Sequence, residues 1–232
     1  MGLNITKGKI KKPFRMMIIG EPGVGKSHLA SLAPNPIFLD CESGSHHFEC
    51  DRVEVKSVSE LREVLKSKDE LANYQTLVVD SLTSVARLME SEILRTNKVQ
   101  TLTEIGFGKG FTMHAEKICA LLDAFLSLPL NIIIIAHVKA KTRTHPLLDP
   151  HDYLSIQCPK DTEAYISAMM DLIGYMYKDS YVTEGKIKGS GERMITFKPD
   201  PAYLCKTRIP ALEDTFNVNK TSIYQVIEKE SK

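Results

Sequence analysis

The sequence has no strong charge of either sign. Lys and Arg number 30 against 29 Asp and Glu, so the overall field is close to neutral. A uniformly basic surface is excluded, and any contact with nucleic acid must come from local patches. No apolar run approaches the length of a membrane span. Lys7, Lys9, Lys11 and Lys12 are followed by no long apolar core, so no secretory signal is expected. The five cysteines (Cys41, Cys50, Cys119, Cys158 and Cys205) are odd in number and scattered. They read as reduced thiols, and a cytoplasmic location is expected. There is no Trp, no low-complexity segment and no repeat. What remains is an ordinary globular composition, 43% hydrophobic and 25% charged, long enough at 232 residues for one α/β domain with a sizeable core.

The most informative stretch is Gly20-Glu21-Pro22-Gly23-Val24-Gly25-Lys26-Ser27. It follows the apolar run Met16-Met17-Ile18-Ile19 and precedes a helix-like run. Strand, glycine-rich loop and helix at the spacing G-x-x-x-x-G-K-[ST] make a phosphate-binding loop. Gly23 and Gly25 allow the tight turn and leave room beside a polyphosphate. The loop N–H groups and the helix N-terminus point at the anion. Glu21 to His28 are therefore the expected nucleotide contacts: Glu21, Pro22, Gly23, Val24, Gly25, Lys26, Ser27 and His28. Lys26 supplies charge to the β- and γ-phosphates, and Ser27 a hydroxyl to Mg²⁺. ATP and Mg²⁺ are the expected cofactors.

The pattern predicts strands at Phe14 to Ile19, Pro36 to Asp40, Val53 to Val55, Thr76 to Asp80 and Asn131 to Ala136. Helices are expected at Lys26 to Ala33, Val58 to Ser67, Ser81 to Leu94, His114 to Leu126, Ala164 to Met170 and Thr221 to Lys229. Asn97 to Gly110 and Val138 to Asp161 read as loops. Leu172 to Tyr177, Arg193 to Phe197 and Tyr203 to Lys206 read as later, partly antiparallel strands. The fold class is α/β: a mainly parallel twisted sheet, helices on both faces and antiparallel strands at a C-terminal edge. Residues 1–13 are expected to be a basic arm, and residues 14–232 the domain.

Asp80 closes an apolar strand and fits the second Mg²⁺ anchor; an ordinary helix N-cap is the bland alternative. The residue after it is Ser81, so the base that activates water must come from elsewhere. Glu42 lies just past the second strand, at the sheet edge where ligands of parallel sheets bind. Asp40 competes for that role. His137 ends the isoleucine strand at the same edge, where it can contact the γ-phosphate or the attacking water.

Together these residues resemble the RecA-like P-loop ATPases. Leu39-Asp40-Cys41-Glu42 is similar to the family's strand carrying the catalytic Glu, and Val78-Val79-Asp80-Ser81 to its metal-binding strand. Ile135-Ala136-His137 falls at the polar sensor, with His in place of the Gln of RecA. Cys205-Lys206-Thr207-Arg208-Ile209-Pro210 resembles the late Lys-x-Lys or Lys-x-Arg element, which implies that Lys206 and Arg208 reach a neighbouring subunit's nucleotide. Over residues 14–210 the set is most similar to small phage ATPases with a RecA core alone. That resemblance implies ATP-dependent binding of single-stranded DNA in recombination or strand annealing. It also implies a homo-oligomer (ring or filament), an annealing or single-strand-binding protein as partner, and the host cytoplasm as location.

The resemblance also directs attention to two segments. One carries Lys98, Phe107, Lys109 and Phe111; the other carries Lys139, Lys141, Arg143 and His145, with no acid until Asp149. Cations suit backbone phosphates and flat rings suit bases. Two other readings stay open. One is a small-molecule or nucleotide P-loop kinase; the other is a nucleotide-gated DNA-binding module with negligible turnover. Cys41, His46, His47 and Cys50 match no common zinc module. The guanine motif Asn-Lys-x-Asp is absent, and Glu21 stands where partition ATPases carry a second Lys.

Overall fold

Residues 132–135 are four isoleucines in a row, and none is more than 1% exposed. That is the signature of a strand covered on both faces. The computed structural model describes residues 5–8, 12–145, 148–183 and 185–230. In chain order the elements are β1 (Arg15–Gly20), α1 (Lys26–Ser31), β2 (Pro36–Asp40), β3 (Asp51–Glu54), α2 (Val58–Lys66), α3 (Lys68–Leu71), β4 (Thr76–Asp80) and α4 (Leu82–Asn97). They continue as α5 (Lys109–Leu126), β5 (Asn131–His145), β6 (Leu148–Ile156), α6 (Lys160–Met169), β7 (Leu172–Thr183), β8 (Lys186–Thr196), β9 (Lys206–Thr207), β10 (Thr215–Asn217) and α7 (Ile223–Glu230).

The strand order is β10-β8-β7-β1-β5-β4-β2-β3, with β6 paired to β5 and β9 to β7. From β7 across to β3 every neighbouring pair is parallel, while β8, β10, β6 and β9 add antiparallel. The expected architecture is what forms. Alternate residues of the central strands feed two cores. Ile132 and Ile134 pack with α2, α4, α5 and α6 on one face, and Ile133 and Ile135 with α1 and α7 on the other. Helix α4 shows the matching period: Leu82, Val85, Met89 and Ile93 are buried, and Ser81 caps it by accepting the Ser84 N–H. Each fully buried aliphatic side chain of this kind contributes ~1.5–3 kcal/mol. Among the described residues no helix is long and apolar enough to cross a membrane.

Of the two expected loops, one is a hairpin and the other is largely a loop. The segment 138–161 continues β5 to His145 and returns as β6, pairing Val138 with Ile156 through Arg143 with His151, before α6 begins. Its outer half is held by ladder hydrogen bonds and carries polar side chains, so it has little hydrophobic signal to read. Within 97–110, α4 runs to Asn97 and α5 starts at Lys109. Between them a single 3-10 turn, Leu102–Ile105, is fixed by the Thr101–Glu104 capping box. The strand expected over Tyr203 to Lys206 reduces to bridges from Tyr203 and the two residues of β9. Of the basic arm, residues 1–4 and 9–11 lie outside the described residues, and residues 5–8 are exposed.

Candidate nucleotide-binding and hydrolysis site

The parallel register brings the chemistry to one edge. Gly20 at the end of β1 pairs with His137 of β5, and Asp40 at the end of β2 with Asp80 at the end of β4. The loop between β1 and α1 sits over that edge. A Cβ on Gly20 would lie 2.3 Å from the Met176 carbonyl oxygen, so only glycine lets the loop seat against β7. Gly25 has φ +104, in the left-handed region where glycine carries no steric cost.

Lys26 is 5% exposed, and its Nζ donates to the carbonyls of Gly20 (3.0 Å) and Glu21 (2.8 Å). Burial lowers its pKa, against the pull of the Asp80, Glu42 and Glu21 carboxylates. The ammonium is thus held ready inside its own loop, with carbonyls standing where a polyphosphate would compete for it. Ser27 Oγ donates to Asp80 Oδ2 at 2.6 Å. Burial, with the nearby charges of Glu42 and Asp40, raises the Asp80 carboxyl to about 6, against the Ser27 hydroxyl and Lys26. A hydroxyl and a buried, electrostatically crowded carboxylate side by side are a hard-oxygen donor pair suited to Mg²⁺. The residues present therefore fit a Mg²⁺-nucleotide, with Ser27 and Asp80 toward the ion and Lys26 toward the phosphates.

Glu42 lies across from them, with its carboxylate tightly held. Its Oε1 accepts from the Ser81 hydroxyl and from Ser84 Oγ (3.0 Å), and lies 3.1 Å from His137 Nε2. The His137 hydrogen bond, with those from Ser81 and Ser84, outweighs burial and holds Glu42 at about 2. His137 Nδ1 is buried with no hydrogen-bond partner among the described residues. Asp40 does not compete as a base. It is buried and accepts the N–H groups of Glu42 (3.1 Å), Gly44 (3.2 Å) and Ser45 (2.9 Å) as well as the Ser45 hydroxyl. Burial alone would raise its pKa, but the Ser45 hydroxyl and these amides lower it. Asp40 shapes the turn that presents Glu42.

One residue at this site has no motif to announce it. Arg193 of β8 lines the same pocket of about 380 Å³ as Lys26, Ser27, Glu42, Asp80 and His137. Its Cδ and Nη1 lie 3.2 Å from where a Cβ on Gly25 would be. Among the described residues its guanidinium makes no hydrogen bond or ion pair. A half-buried guanidinium against a phosphate-binding loop is suited to contact an anion there. Strands β7 and β8 are expected, but the β1–β7 pairing that brings Arg193 up to the loop cannot be read from a local pattern.

The remaining expected residues are dispersed. Lys206 Nζ donates to the carbonyls of Ser167 (2.8 Å) and Ala168 (3.2 Å). Arg208 pairs with Asp171 (2.9 Å) and also reaches Ala168 O. Both lie beside the start of β7, at the sheet edge opposite the loop, and so outside this chain's own site. Phe107 is fully exposed, Phe111 is half exposed, and Lys109 lies between them at the start of α5. His114 of α5 bonds Ala86 O in the second turn of α4, so this end of α5 lies level with the start of α4 near the site edge. Lys98 caps the other end of α4. On the β5–β6 hairpin Lys139 is exposed and Arg143 stacks 4.4 Å over the Tyr153 ring. Lys141 departs from the expected free cation: it is ion-paired to Glu163 of α6, which also accepts from Ser155 and Tyr153.

Among curated proteins none matches the chain. The family model described as AAA domain matches residues 12–209. That span takes in the phosphate loop, Glu42, Asp80, His137 and Arg193, and covers most of the sequence: the chain belongs to the AAA domain family of P-loop ATPases.

Proposed function

We propose that the chain hydrolyses ATP and couples turnover to binding of single-stranded DNA, in the RecA-like manner that recombination or strand annealing uses. The observation that carries the hydrolytic half is the pairing of Ser27–Asp80 with Glu42–His137 across adjacent strand ends. Lys26 and Arg193 bind and orient the phosphates. When bound, Mg²⁺ lowers the cost of the charge that develops on them. Glu42 orients water and takes its proton. A carboxylate held at about 2 is a weak base, and releasing the Ser81 and Ser84 hydroxyls makes it a stronger one. His137 bridges Glu42 to the phosphate side, so it senses whether a γ-phosphate is present.

The DNA half rests on the exposed cation Lys139 and on Arg143 along one hairpin, and on Phe107, Lys109 and Phe111 near the same edge. Cations with interleaved flat rings are what a single strand requires. Assembly belongs to the proposal too. Lys206 and Arg208 lie far from their own phosphate loop, so they serve a nucleotide only in another copy, after leaving the Ser167 and Ala168 carbonyls and Asp171.

The test is the ATPase rate with and without single-stranded DNA, for wild type and Glu42→Gln. Stimulation by DNA that the variant loses, with nucleotide still bound, is the expected result. No stimulation and no ATP-dependent DNA binding at moderate salt would overturn the coupling. Phosphate transfer to a nucleoside or sugar would replace it with a kinase, and normal DNA binding with negligible turnover with a nucleotide-gated module.

A further inference from the structure

The phosphate loop has a second side. Beside the nucleotide pocket, and sharing Pro22 with it, Glu21, Pro22 and Val24 form one wall of a second cleft of about 510 Å³. Its other walls are Tyr175, Tyr177 and Lys178 of β7 and Tyr203. The three rings form a stacked row. Tyr175 lies 4.8 Å from Tyr203 at an interplanar angle of 20°, and 5.6 Å from Tyr177 at 18°. All three are half-buried. A row of near-parallel rings beside an open volume of this size is a stacking wall for a further flat ring. Glu21 and Lys178 flank it with an acceptor and donors for a ring's polar edge.

The position selects among flat ligands. Tyr175 packs with the core on the α4–α6 face, whereas α1, which carries the phosphate pocket, packs on the other face. Val24 and Met176, which also line the cleft, belong to the α1-side core, so the cleft reaches round the loop from one face toward the other. On the Tyr203 side it is continuous with the β5–β6 hairpin. Leu154 of β6 bridges to Tyr203, with Leu154 N donating to Ala202 O and Leu204 N to Leu154 O, each at 2.8 Å. The next residue, Tyr153, holds Arg143. A strand whose phosphates follow Lys139 and Arg143 thus passes the mouth of the cleft.

We infer that the tyrosine cleft takes an unpaired nucleobase of a bound single strand, a subsite that rests on the single-strand reading above. It also supplies a physical coupling. Lys26 Nζ donates to the Glu21 carbonyl, so a nucleotide that draws Lys26 toward its phosphates releases the residue forming the cleft wall. From the other side, Lys178 of the cleft is the direct ladder partner of Arg193 at the phosphates.

The experiment measures affinity for an oligothymidylate and for a fluorescent ATP analogue, across a salt series. The proteins are wild type, Tyr177→Leu and Tyr203→Leu, with Tyr177→Phe and Tyr203→Phe to keep the ring. Leu fills similar apolar volume without a flat face, and unchanged ATP affinity certifies a folded protein. Stacking on an aromatic side chain contributes enough that the Leu variants should bind the strand about five- to a hundred-fold more weakly. The Phe variants should bind normally, and all should keep the wild-type slope of affinity against salt. With eight tyrosines and no tryptophan, quenching of tyrosine emission by the strand provides an independent signal that the Leu variants reduce. Wild-type strand affinity in both Leu variants would overturn the cleft while leaving the function standing. Loss of ATP affinity alone would reassign the cleft to the nucleotide's own base. A wild type that binds no strand would overturn both.

Discussion

The two sides of the phosphate loop are built in opposite ways. On the phosphate-pocket side the polar groups hold partners within the chain: Lys26 two carbonyls, Ser27 Asp80, and Glu42 Ser81, Ser84 and His137. On the other side three half-buried tyrosines stack on one another beside an open cleft. A triphosphate has one shape, and hydrolysis needs its atoms held within fractions of an ångström, so preorganised hydrogen bonds suit it. A single strand varies in sequence and conformation, so flat faces suit it, since they accept any base. The loop borders both pockets, and on the proposed reading that makes it the place for one side to affect the other.

The largest expected break comes from the phosphate-pocket side. Glu42→Gln should lower turnover by ~10²–10⁴-fold while nucleotide affinity is kept, as measured by single-turnover hydrolysis and equilibrium binding. A variant that still turns over within tenfold of wild type would mean another group activates the water. Next is Arg193→Ala, expected to weaken nucleotide binding or turnover by ~10–100-fold, the loss of charge-assisted hydrogen bonds, with partial recovery in Arg193→Lys. Unchanged binding and turnover would make its contact with Gly25 a packing contact only.

Asp80 gives an effect of about tenfold with a defined direction in pH. Its folded-state carboxyl is raised to about 6, so protonation competes with Mg²⁺ as pH falls below that value. Mg²⁺-dependent nucleotide affinity should fall about tenfold per pH unit below 6, by titration calorimetry. Stability without ligand should move the other way. A raised carboxyl costs stability when ionised, so the melting temperature should rise as pH falls from 7 toward 5 and flatten in Asp80→Asn. A melting temperature that falls through this window in wild type would contradict the assignment. The smallest change is on the clamp. Ser84→Ala removes one hydroxyl from Glu42 and should raise basal turnover by a few-fold, about 1 kcal/mol for one hydrogen bond. The acid limb of the pH–rate profile should shift upward; a slower enzyme would show that the hydroxyl positions Glu42 more than it restrains it.

Helix and strand periodicity, the glycine spacing and the placing of Glu42, Asp80 and His137 at strand ends were all legible in the sequence. Each depends on residues close together in the chain, or on the rule that parallel strands share one ligand-binding edge. The β5–β6 hairpin was not legible, because its polar outer half is held by backbone pairing that leaves no hydrophobic alternation. The competition between Asp40 and Glu42 was open for a related reason. Their separation is two residues, and only the fold buries one against the Ser45 turn and turns the other toward Ser81.

By itself, then, the sequence determined that a phosphate-binding loop sits on a mainly parallel sheet and that an acid follows a neighbouring strand at the same edge. Only the tertiary structure decided that Lys141 is spent on Glu163, that Lys206 and Arg208 lie at the far edge, and that Arg193 and three tyrosines flank the loop. The physical reason is contact range. The parallel pairing of β1 with β7, which carries β8 beside the loop, and the return of the chain at Tyr203 join residues far apart in sequence. Such contacts are set by packing and ladder geometry, which no local pattern encodes.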